Sequence, residues 1–194
     1  MTLGQAVRPI AAVYVVAAVV TLAGVYLYSG RALWLHPSPS ASAPWLRGAA
    51  ASGLLGLAFA AFVVVVTRLT VPRLSWARQL HATLHPLARD LSRGQIVVLA
   101  LCSGVAEEVV FRGWLQPLIG FWLASMLFGF VHQLPGPSRW IWVAWATSAG
   151  LALGLIFEVT GHLLGPVVAH ATINGVNLQY LQSFDGSRPV SAPS

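Results

Sequence analysis

Residues 9–29 run for 21 positions without a charged side chain (PIAAVYVVAAVVTLAGVYLYS). At about 1.5 Å of rise per residue, a helix of that length crosses the roughly 30 Å hydrocarbon core of a bilayer. Backbone polar groups inside lipid must be satisfied within the segment, which restricts such a run to a helix. The run is long for the apolar core of a signal peptide, and no small-x-small cleavage site follows it, so a retained first helix is expected. Residues 48–67 form a second uncharged span of the same kind. The chain as a whole is 57% hydrophobic and 8% charged. A soluble domain is roughly a quarter charged, and disordered chains are poor in apolar residues, so both classes are excluded. A single cysteine, Cys102, rules out an internal disulfide and reads as a small hydrophobe.

The formal charge of +6 does not point to nucleic acid. Its arginines lie between apolar blocks, where positive charge anchors cytoplasmic loops to anionic headgroups. Residues 31–47 are rich in Pro and Ser, with Trp34 and Trp45 near the edges, and read as an interfacial loop. Residues 68–94 carry Arg68, Arg73, Arg78, Arg89 and Arg93 against Asp90 alone, with Leu74, Leu80, Leu84, Leu87 and Leu91 recurring at intervals of 3, 4 and 6. That pattern predicts an amphipathic surface helix on the cytoplasmic side. Further apolar segments cover 95–120, 121–133, 140–160 and 166–181, with turns at 134–139 and 161–165 and a polar tail from Ser183.

The expected fold is an all-α polytopic membrane protein of about six transmembrane helices plus the amphipathic helix. Three regions are expected: membrane helices and a basic loop (1–94), a catalytic helical bundle (95–181), and the tail (182–194). The absence of an internal repeat weighs against an inverted-repeat transporter. Both termini are expected to be cytoplasmic, in a bacterial inner membrane.

Three short patterns place ionisable groups where lipid makes them cost at least about 2.5–3.5 kcal/mol each. The first is Glu107-Glu108-Val-Val-Phe-Arg112. Glu108 and Arg112 stand at i, i+4 and share a helix face, while Glu107 projects about 100° away. One carboxylate is left formally unpaired, which suits proton transfer near neutrality. The second is Phe128-Gly-Phe-Val-His132, and the third His170-Ala-Thr-Ile-Asn174, each again one turn apart on one face. Taken singly, His132 also reads as an interfacial histidine and His170 with Asn174 as a helix–helix hydrogen-bond pair. Together they exceed what packing needs. A carboxylate and an imidazole can activate water, and a second His with an Asn amide can donate to a developing oxyanion. Neither a nucleophile elbow nor HExxH is present.

At these residues the chain resembles the CAAX protease and bacteriocin-processing family, also called Abi or type II CAAX prenyl endopeptidases. That family carries EExxxR, FxxxH and HxxxN in this order on separate membrane helices. The resemblance covers about residues 95–181. It implies intramembrane proteolysis by a glutamic, metal-independent mechanism with no cofactor. It further implies that Glu107 is the general base and that His132 holds and polarises the attacking water. His170 and Asn174 would line the oxyanion hole, and Glu108, Arg112 and Phe128 would support the site. The implied partners are the bilayer and a protein or peptide with a membrane-associated segment, cut at a C-terminal tail or a leader.

Two other readings stay open. Glu107, His132 and His170 could hold Zn²⁺ with an open water position. Alternatively, the buried carboxylates could serve a non-enzymatic carrier or scaffold. Among other residues, Glu158 reads as a solvated interfacial carboxylate, His81 and His85 as a solvated face, and Gly150 with Gly154 as a close helix contact. His162 carries no assigned role.

Overall fold

The computed structural model describes residues 3–39 and 44–183. Positions 40–43 of the Pro/Ser-rich loop and 184–194 of the polar tail lie outside the described residues. Helix α1 spans Leu3–Ser29, α2 Ala49–Thr70, α3 Ser75–Leu84 and α4 Arg93–Glu108. A π-helical turn, Val109–Leu115, continues α4 into the short α5, Gln116–Ile119. Then follow α6 (Phe121–Val131), α7 (Arg139–Thr160) and α8 (Leu164–Gln182). The described residues contain no strand beyond one isolated antiparallel bridge, Leu35 to His162. The protein is thus an all-α polytopic membrane protein.

Four stretches are long and apolar enough to cross a bilayer: Gly4–Ser29, Ala49–Thr70, Arg93–Ile119 and Arg139–Thr160. The other two apolar segments are also helical. With 11 residues, α6 reaches about 17 Å, short of a full crossing by itself. Helix α8 reaches spanning length, but His170, Asn174 and Asn177 dilute its apolar run. Bare apolar side chains along α1 and α2, such as Val16, Val20 and Phe62, are exposed as lipid-facing residues must be.

Local chemistry sets the ends of α4, the helix that carries both glutamates. Ser92 is its N-cap: its hydroxyl accepts from the Gln95 backbone N–H at 3.2 Å, and the Gln95 side chain accepts from the Ser92 N–H at 2.8 Å. This reciprocal pair satisfies two otherwise orphaned donors. Helix α4 then packs on α8 and on α1. Gly104 permits the close approach to α8, since a Cβ there would sit 2.9 Å from the Ala171 backbone nitrogen. That contact, one residue from His170, brings the glutamates of α4 to the polar face of α8.

At one end of the bundle, the loop after α1 straps the α7–α8 turn. His36 N–H donates to the Gly161 carbonyl and Leu163 N–H to that of Trp34, both at 2.9 Å. Leu33, Val109, Phe157 and Leu163 form a buried cluster there. At the opposite end, α3 turns its apolar stripe onto the bundle. Leu80 and Leu84 pack with Ala88 and Leu181, next to Ile141 and Trp142. His81 is buried on this stripe and is not on a solvated face as the sequence reading had it. Its ring meets Tyr180 edge-on at 5.4 Å, and the Arg68 guanidinium lies 3.5 Å from the centre of that Tyr180 ring. Burial pushes the His81 imidazole down to about 4.

Candidate active site

The three sequence patterns come together at the centre of the bundle. Glu108 and Arg112 are fully buried, with relative exposures of 0% and 1%. Arg112 Nη1 donates to Glu108 Oε1 at 3.0 Å, and its Nη2 donates to the Gly150 carbonyl on α7, also at 3.0 Å. The same Glu108 oxygen receives the Nδ1–H of His170 from α8 at 2.7 Å. Glu108 therefore ties together three elements, and its charge is neutralised where water does not reach. Phe128 of α6 covers the pair. The Arg112 guanidinium lies 4.3 Å from the centre of its ring, and the His170 ring meets it edge-on at 5.8 Å.

Glu107 faces a different space. Its Oε2 lies 3.3 Å from His132 Nε2 and 3.9 Å from His170 Nε2. This oxygen is buried and makes no hydrogen bond of its own. His132, just past the end of α6, contacts the Phe128 carbonyl through Nδ1 at 2.6 Å. A carbonyl only accepts, so the Nδ1 of His132 carries hydrogen and its Nε2 faces Glu107. His170 is fixed in the same sense, because its Nδ1–H is given to Glu108. Both imidazoles thus turn their Nε2 atoms toward the same Glu107 oxygen.

Asn174, one turn beyond His170, donates one amide hydrogen to Ser103 Oγ at 3.0 Å. A primary amide carries a second donor hydrogen. Glu107, His132, His170 and Asn174 share the wall of one cavity of about 330 Å³. A second, apolar cavity of about 220 Å³ lies against it, and Trp142, Trp145, Ile173, Asn174 and Leu178 line both. Among the described residues, no group of three or more His, Cys, Asp and Glu is arranged to hold a metal ion.

Several participants were not singled out in the sequence. Ser103 stands four residues before Glu107, and Gln116 four after Arg112, so the one-turn rule that found the other pairs would have found both. The buried Gln116 donates to the Gly154 carbonyl at 3.1 Å and to Glu158 at 2.9 Å. Glu158 also pairs with His36 at 3.3 Å. Glu158 is therefore not the simply solvated carboxylate that its sequence position suggests: at 26% side-chain exposure it bridges two partners. His162 closes the same end, accepting the Leu164 N–H on its Nδ1 and the Ser52 hydroxyl on its carbonyl. Tyr14 of α1 lines the same cavity as Glu107. Nothing in its sequence neighbourhood marks it out.

Comparison with known proteins adds to this geometry. Residues 90–176 match the family described as type II CAAX prenyl endopeptidase Rce1-like. A curated relative, the uncharacterized protein YpbD of Bacillus subtilis (strain 168), is 41% identical over 81 residues. That match covers 42% of this chain and 42% of the relative, so the chain spans about two fifths of the curated protein it resembles. No solved structure matches. All the residues of the three patterns, from Glu107 to Asn174, fall inside the matched stretch. Through residues 90–176, this chain is similar to the family described as type II CAAX prenyl endopeptidase Rce1-like.

Proposed function

We propose that this protein is an intramembrane endopeptidase of the glutamic type, cutting a peptide bond in a membrane-associated or exported protein. The observation that carries this reading is the convergence of Glu107 Oε2 with the Nε2 atoms of His132 and His170, at 3.3 and 3.9 Å, on the wall of a cavity inside the bundle. A buried oxygen with no hydrogen bond of its own is the atom best placed to take a proton. In this mechanism Glu107 removes a proton from water as the water oxygen attacks the scissile carbonyl carbon, and His132 Nε2 orients that water. The carbonyl becomes a tetrahedral oxyanion that accepts from the Asn174 amide. His170 joins as a donor when both its ring nitrogens carry hydrogen, with Glu108 and Arg112 as its counter-set. The proton on Glu107 then passes to the departing nitrogen, the C–N bond breaks, and a carboxylic acid and an amine leave, the acid giving its proton to the amine.

The apolar cavity beside the site supports a substrate with an apolar segment, as a processed C-terminal tail or leader would have. The matched family is described as one of prenyl endopeptidases, and a lipidated tail fits the same chemistry. Five arginines across residues 68–94 support a bacterial cytoplasmic membrane with both termini inside.

The test needs no known substrate. N- and C-terminal peptides of the host's membrane and exported proteins are compared between cells with the wild-type chain and cells with Glu107→Ala at equal expression. Defined termini are expected to vanish in the variant. Matching profiles would overturn the reading and leave the carrier or scaffold account. Where termini are lost, purified protein is assayed with a chelator. Full activity is expected, and its loss would move the chemistry to a metal held by Glu107, His132 and His170.

A further inference from the structure

Helix α1 is the most weakly embedded of the four spanning stretches, with 6% of its apolar window buried within the protein. Val13 and Val20 face outward at 68% and 64% exposure. Its inward stripe is narrow. Val7 packs with Leu91 and Ile96, the Gln95 side chain donates to the Gly4 carbonyl at 2.9 Å, and Ile10 and Tyr14 follow at helical spacing against the catalytic cavity. Farther along, Leu22 and Val25 reach the cluster around Phe157. Within this stripe Tyr14 carries the polar group, and it shares the cavity wall with Glu107. A phenylalanine would fill the same volume without a hydroxyl to desolvate, so packing alone does not account for the oxygen.

We propose that Tyr14 is a positioning residue of the peptidase site, its hydroxyl locking the Glu107 carboxylate so that Oε2 stays aimed at His132 and His170. The inference rests on the peptidase reading above. The physical need is specific. The last torsion of a glutamate side chain is broad and roughly two-fold, so a carboxylate without a fixed donor samples many orientations. A donor on the carboxylate removes that freedom, and small misplacements of a reacting group cost rate steeply. Tyr14 lies outside the matched residues 90–176. The functional unit is therefore larger than the family match, and α1 is one of its working parts.

The experiment follows the rate at which Glu107-dependent termini appear after induction, per folded molecule, for wild type, Tyr14→Phe, Glu107→Ala and Val7→Ala. Val7→Ala loosens the seat of α1 away from the cavity and serves as the structural comparator. The strongest lost terminus, made as a peptide spanning the cleavage point, then serves as the probe in detergent. Tyr14→Phe is expected to melt as wild type does and to lose at least tenfold in kcat with KM little changed. Val7→Ala is expected to lose thermal stability and keep kcat. Tyr14→Phe at the wild-type rate, with Glu107→Ala inactive, overturns the role of Tyr14 alone. Equal loss of kcat in Tyr14→Phe and Val7→Ala overturns it too, because helix docking would then explain both. Unaltered termini in Glu107→Ala overturn the peptidase reading beneath it.

Discussion

Arg112 gives one nitrogen to Glu108 and another to the Gly150 carbonyl while its plane lies against Phe128. A lysine offers one compact charge and cannot span these partners with the same geometry. Removing the cation altogether leaves Glu108 charged at 0% exposure. Arg112→Ala is therefore expected to destabilise the fold by about 3–5 kcal/mol, read as a large fall in the melting temperature of the detergent-solubilised protein. Arg112→Lys is expected to fall between this variant and wild type. The pair was legible in the sequence because charges inside apolar segments have few reasons to exist, and spacing of one turn names the partner. The sequence was equally direct in marking Glu107, His132, His170 and Asn174. Tyr14 was silent for the opposite reason. An aromatic residue in an apolar helix is ordinary, and its hydroxyl matters only once α1 is placed against α4.

Arg112 and Gln116, four apart, meet Gly150 and Gly154, also four apart. Each side chain donates to the carbonyl of its facing glycine. The contact is set by the absence of side chains on α7. A Cβ at Gly154 would lie 2.8 Å from Gln116 Oε1 and 3.0 Å from Phe121 Cε2. Gly154→Ala is expected to cost about 1–3 kcal/mol as overpacking, with loss of the Gln116–Glu158 contact, and thermal melting against wild type measures it. The glycine pair was readable as a close helix contact. The π-helical turn that carries Arg112 to that contact was not. It arises because the Gln116 N–H bonds the Phe111 carbonyl five residues back, a shift with no compositional mark. Amphipathicity predicted α3, but it could not say whether protein or lipid would cover the apolar stripe. Leu181 and its neighbours cover it.

Membrane class and helical content followed from long uncharged runs. The partnership of the helices did not, because lipid-facing and protein-facing apolar residues look alike in sequence. The assembled molecule has two distinguishable ends. One carries α3, the start of α7 and the end of α8 in a shared cluster. The other carries the strap of residues 33–36 over the α7–α8 turn. The arginine-rich segment belongs to the first end, so the end of α8 lies on the same side. A reporter enzyme fused after Ser194 is expected to act in the cytoplasm, and activity on the outer side would reverse the orientation. The cavity wall also draws on residues as far apart in the chain as Tyr14 and Asn174. A ribosome releases the first of these well before the second. The nascent chain therefore cannot hold the complete cavity wall until α8 enters the membrane, about 160 residues after Tyr14.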